Sequence, residues 1–85
     1  MARKRYSLND NTTVVAFFRP KVTNNEEERV YRIELRGPYD EILREWNFLV
    51  ACTKKEVLQE LDLPIDIYYS SWGDIFKYLY IFKYL

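Results

Sequence analysis

The sequence predicts a small α+β domain. An antiparallel sheet, built from two N-terminal strands and a C-terminal strand pair, carries a central helix or kinked helix pair on one face. Three observations predict it. Thr13 to Arg19 is a β-branched and aromatic run closed by Pro20, a residue that cannot donate to a sheet ladder. Val30 to Arg36 alternates, with Tyr31, Ile33 and Leu35 on one face and Arg32, Glu34 and Arg36 on the other, the pattern of a half-buried strand. Tyr39, Ile42, Leu43, Trp46, Leu49 and Val50 recur at spacings of three and four, the stripe of an amphipathic helix.

Taken in chain order, residues 1–12 read as a polar basic arm carrying Arg3, Lys4 and Arg5 and ending in Asn9, Asp10 and Asn11. Residues 13–85 read as a single domain, because 85 residues leave room for one core. The first two strands are joined by a polar connection with Asn24, Asn25 and Glu26 to Glu28, so an antiparallel hairpin is the simplest pairing. Gly37 and Pro38 end the second strand and open the expected helix, with Asp40 and Glu41 near its positive end. Thr53 and Glu56 have capping-box spacing, so a second helix can begin at Lys54 and run toward Pro64. The alternative is one helix from Tyr39 to Asp62, bent near Cys52.

Ile65 to Tyr69 reads as a short strand. Beyond it Phe76-Lys77-Tyr78-Leu79 recurs as Phe82-Lys83-Tyr84-Leu85, a period of six. Six is even, so a strand would place Phe76, Tyr78, Tyr80, Phe82 and Tyr84 on one face, and a strand is the preferred reading. The rival is a helix from Trp72, because Ser71 and Asp74 also have capping-box spacing. It would gather Ile75, Tyr78, Leu79, Phe82 and Leu85.

Composition narrows the function classes. Aromatic residues make 18% of the chain and hydrophobic residues 48%, with only two Gly and three Pro, which excludes a disordered or linker-like chain. The 13 basic and 13 acidic residues cancel. Residues 1–37 nevertheless hold eight bases against five acids, and residues 38–85 the reverse. The lone Cys52 cannot form an internal disulfide, and with no His in the chain it reads as a small buried hydrophobe. The polar stretch after Arg5 is no apolar signal core, so a cytoplasmic address is expected. No run is long enough to span a membrane.

Catalysis is not expected. A chain without His loses the commonest base and metal ligand, and it holds no Gly-rich phosphate loop, CxxC pair or zinc spacing. No catalytic residue, metal site or cofactor is therefore assigned. The pairs Asp40/Glu41 and Glu56/Glu60 read as solvated helix faces. The expected function is a non-enzymatic protein-interaction or regulatory module, homodimeric, with Tyr78, Tyr80, Phe82 and Tyr84 contacting the partner. The last eleven residues hold no acid, and aromatic residues are enriched where interfaces carry their energy. The alternative is a small RNA- or single-stranded-DNA-binding protein using Arg19, Arg32 and Arg36 on an arginine-bearing sheet face, with aromatic rings to stack on bases.

Overall fold

The computed structural model describes residues 2–64, 66 and 70–84. Four strands, β1 (Ala2–Asn9), β2 (Thr12–Phe18), β3 (Val30–Arg36) and β4 (Ile42–Cys52), are followed by α1 (Lys54–Glu60) and α2 (Trp72–Leu79). A π-helical turn, Tyr80–Tyr84, continues α2. The strands form one antiparallel sheet in the order β1-β2-β3-β4. The architecture is thus four consecutive strands and then helices, which corrects the expected order of two strands, helices and two strands.

The expected hairpin is present. β2 pairs with β3 from Thr13 opposite Arg36 to Phe18 opposite Val30. The arm expected over residues 1–12 is instead mostly β1, which pairs with β2 from Ala2 opposite Phe18 to Asn9 opposite Thr12. Its turn is local chemistry: the Asn9 side-chain carbonyl accepts from the Asn11 N–H at 2.8 Å, an Asx turn that closes a two-residue connection. Along β1, Tyr6 and Leu8 pack on the core while Arg3, Arg5 and Ser7 stay exposed.

The helix expected from Tyr39 is strand β4. Its apolar stripe would have buried Tyr39, Ile42, Leu43, Leu49 and Val50, yet all five are exposed. The residues that pack inward are Trp46 and Phe48, two positions apart as a strand requires. Trp46 lies opposite Ile33 and Arg44 opposite Leu35, so pairing with β3 overrides the helical periodicity. Between β3 and β4 the Asp40 backbone has φ 62°, a conformation that Asp tolerates better than most residues.

α1 begins where the capping box predicts. The Thr53 hydroxyl accepts from the Glu56 N–H at 3.3 Å, and the Glu56 carboxylate accepts from the Thr53 N–H at 3.0 Å. Thr53→Ala removes one half of this exchange at a buried position. It is expected to lower unfolding free energy by about 1 kcal/mol, read as a shift of the urea midpoint at unchanged slope. Thr53→Ser should recover most of the loss.

The C-terminal segment corrects the preferred strand reading. Ser71 caps α2 by accepting from the Asp74 N–H at 3.3 Å. Trp72, Ile75, Phe76 and Leu79 are buried, whereas Tyr78 and Phe82 are exposed, so the inward face differs from the one the helical rival would have gathered. The expected strand Ile65–Tyr69 lies, except for Asp66, outside the described residues, as does Leu85.

The core sits between one sheet face and the two helices. Val14, Ala16, Phe18, Ile33 and Leu35 meet Val57, Leu58, Ile75, Phe76 and Leu79. Phe76 joins the layers: its ring lies 5.0 Å from Tyr6 of β1, edge to face, and 5.6 Å from Trp72, which in turn contacts Phe18 at 5.5 Å.

Candidate functional site

The helix-free face of the sheet is charged, and strand parity sets its layout. Arg32, Glu34 and Arg36 share this face of β3, and pairing places Val15 of β2 and Glu45 of β4 on either side of Glu34. Glu34 is buried in spite of its charge. Its carboxylate accepts from Arg32 Nε at 2.7 Å and from Arg36 Nε at 3.0 Å. Arg32 also donates to the Asn47 side-chain carbonyl at 2.7 Å and to Glu45. Arg36 reaches Asp40 at 3.0 Å, and Arg5 of β1 reaches the same carboxylate at 3.2 Å. Three guanidiniums (Arg5, Arg32, Arg36) thus interleave with three carboxylates (Glu34, Asp40, Glu45), linking β1, β3 and β4.

Electrostatics follow from this packing. Burial pushes the Glu34 carboxyl up, and the hydrogen bonds from Arg36 and Arg32 outweigh it, so the group titrates below the ordinary carboxylate range. Hydrogen bonding to Glu34 raises both Arg32 and Arg36. Asp40 is lowered, chiefly by its hydrogen bond from Arg5.

Arg32 and Arg36 of the expected nucleic-acid set are brought together on β3, with Glu34 between them. Arg19 stands just past β2, paired with Glu26 of the connecting loop at 3.5 Å. The acids that complete the network, Asp40 and Glu45, were missed by sequence reasoning. Only the register of β4 brings them there, and that stretch carries a helical pattern.

The four expected partner-contact residues lie on α2 and its π-helical extension. Tyr78, Phe82 and Tyr84 are exposed, while Tyr80 is half-buried and packs on the core. Tyr78 stacks on Phe82 with centroids 5.8 Å apart, and Tyr80 on Tyr84 at 5.5 Å. Ile81, which sequence reasoning passed over, is 53% exposed beside Phe82 at 55%. The segment is tied to the sheet where Arg44 of β4 donates to the Lys83 carbonyl and stacks its guanidinium on Trp46 at 5.0 Å.

Cys52 is buried, its thiol lies 3.3 Å from the Val50 carbonyl, and burial pushes the thiol up, with Glu56 and Glu60 adding to the shift. That is the opposite of what a reactive thiolate needs. Among the described residues no cluster of acids and Cys has the arrangement to hold a metal ion, and no helix is long and apolar enough to cross a membrane. No family model, curated protein or solved structure matches the chain.

Proposed function

We propose that the chain is a non-enzymatic protein-interaction module that engages its partner through the outer face of the C-terminal helical segment, with Tyr78, Ile81, Phe82 and Tyr84 as contacts. The observation that carries this reading is the exposure of these four side chains on one acid-free segment, at the surface of a domain whose core is already filled by Ile75, Phe76 and Leu79. Large apolar side chains grouped on the surface are unfavourably hydrated in the free chain, and covering them removes that cost. The stacked rings lose little conformational freedom on docking, because their neighbours already hold them.

Nucleic-acid binding through Arg19, Arg32 and Arg36 draws no support from the geometry. Each guanidinium already faces a carboxylate, so a phosphate would have to displace Glu26 or Glu34.

A photoreactive amino acid placed at position 82, and for comparison at the exposed Asn24, tests the reading in living cells. Irradiation is expected to give a discrete protein adduct from position 82 and none from position 24. Adducts to RNA or DNA, or no adduct from position 82, would overturn it.

A further inference from the structure

β4 follows β3 to its end only by way of a bulge. Asn47 pairs with Arg32 and Cys52 with Val30, so residues 48–51 stand against Tyr31 alone and bow out of the sheet. Leu49 is fully exposed at the crest and Val50 beside it is 73% exposed. Behind them a cleft of 430 Å³ runs between the bulge and α1, lined by Phe48, Leu49, Val50, Glu56, Gln59 and Glu60 among others. Its rim is acidic. Glu56 is engaged by Arg29 at 2.8 Å, whereas the exposed Glu60 faces no ion-pair partner among the described residues.

The outer face of the C-terminal helix is the converse surface. Lys77, Tyr78, Ile81 and Phe82 are all exposed and follow helical spacing, and no acid occurs from Ile75 to the end of the chain. One surface is apolar with a carboxylate and the other apolar with an ammonium, and neither charge meets an ion-pair partner among the described residues.

We propose that the occupant of the cleft is a second copy of this chain: Ile81 and Phe82 of each copy pack on Leu49 and Val50 of the other, and Lys77 of each meets Glu60 of the other. The arrangement is reciprocal, so one two-fold axis closes it. Both patches are covered in both copies, which doubles the buried surface toward the roughly 800 Å² per partner that stable interfaces need. The charges set the pairing: Lys77 opposite Glu60 attracts, while helix against helix or cleft against cleft would oppose like charges. This proposal rests on the protein-interaction reading and names its partner. A foreign protein cross-linked at position 82, with a purified chain that stays monomeric, would leave that reading standing and remove this one.

The test is sedimentation velocity and light scattering on the purified full chain over a hundredfold concentration range. The native chain is expected to pass from monomer to a single dimer species. Val50→Asp and Ile81→Asp, both at exposed positions, should each weaken the dimer at least tenfold, with circular dichroism unchanged. Glu60→Lys and Lys77→Glu should each weaken it, because every contact then opposes like charges. Mixing those two variants should restore a heterodimer, since both of its contacts again pair Lys with Glu. A native chain monomeric throughout, a ladder of higher oligomers, a dimer indifferent to Val50→Asp and Ile81→Asp, or a mixture no tighter than its components would each overturn the proposal.

Discussion

Phe76→Ala is expected to lower the unfolding free energy by about 3–5 kcal/mol. Phe76 heads the fully buried side chains by volume, and its ring lies against both Tyr6 of β1 and Trp72 at the start of α2. Truncation removes the transfer energy of the ring and leaves a cavity that two different layers would have to close. A chain of this length has a total stability of roughly 4–13 kcal/mol at about 0.05–0.15 kcal/mol per residue, so the variant should unfold at a much lower urea midpoint. Phe82→Ala is the informative contrast. Phe82 occupies the same place in the second copy of the six-residue repeat but is exposed, so at dilutions where the chain is monomeric its truncation should change stability by no more than about 0.5 kcal/mol. In a strand the two residues would share one face and respond alike. In the helical segment they are six positions apart and face different sides, Phe76 inward and Phe82 outward, and their responses should differ severalfold. Equal losses from the two substitutions would contradict the fold at its C-terminal end.

That contrast shows where the sequence was legible. β2 and β3 were, because a β-branched run ending in Pro20 and the alternation from Arg32 to Arg36 each mark a strand, although a bulge takes Tyr31 out of the inner face expected for it and sets its ring against Phe17. α1 was legible from its capping box, since Thr53 and Glu56 satisfy each other's backbone N–H groups without help from the rest of the fold. The same local signal stood at Ser71 and Asp74. It was outweighed by the alternation from Ile75 to Leu85, although β-favouring residues report a half-buried surface and not a backbone preference. β1 was missed because its inward contribution is only Tyr6 and Leu8, between polar neighbours. β4 was misread because its exposed apolar residues complete a helical stripe. Exposure of Leu49 and Val50 obeys no core requirement, so no pattern built on burial could place them.

The charged face divides in the same way. Residues 32, 34 and 36 share one side of any strand, so parity alone seats Glu34 between two arginines. The contributions of Asp40, Glu45 and Arg5 depend on strand partners that local sequence does not specify. The aromatic contact residues were named on the right segment but for a strand face. Helical geometry replaces Tyr80 with Ile81 on the exposed surface.

Glu34 carries the second large effect. Glu34→Ala is expected to cost about 2–3 kcal/mol, below the 3–5 kcal/mol typical of a broken buried pair, because Arg32 and Arg36 retain partial contact with water. The loss comes from leaving two guanidiniums side by side above buried Val15 without the carboxylate that separates them. Glu34→Gln keeps the volume and one acceptor oxygen and should cost about half as much.

The pH dependence separates charge from packing. The folded carboxyl titrates below its unfolded value of about 4.3, held there by Arg36 and Arg32 against the upward push of burial. A group lowered on folding stabilises the fold above its unfolded value, and that contribution disappears as pH falls through the folded value. Native stability should therefore decline from about pH 5 downward, whereas Glu34→Gln should start lower and decline less steeply. Its profile will not be flat, since Asp40 and Glu56 are also lowered, by Arg5 and by the Thr53 N–H respectively. Urea titrations at pH 7, 5, 4 and 3 measure the two slopes. Parallel profiles for the native chain and Glu34→Gln would mean that the charge of Glu34 does not stabilise the sheet, and that the network holds Arg32 and Arg36 through Glu45, Asn47 and Asp40 alone.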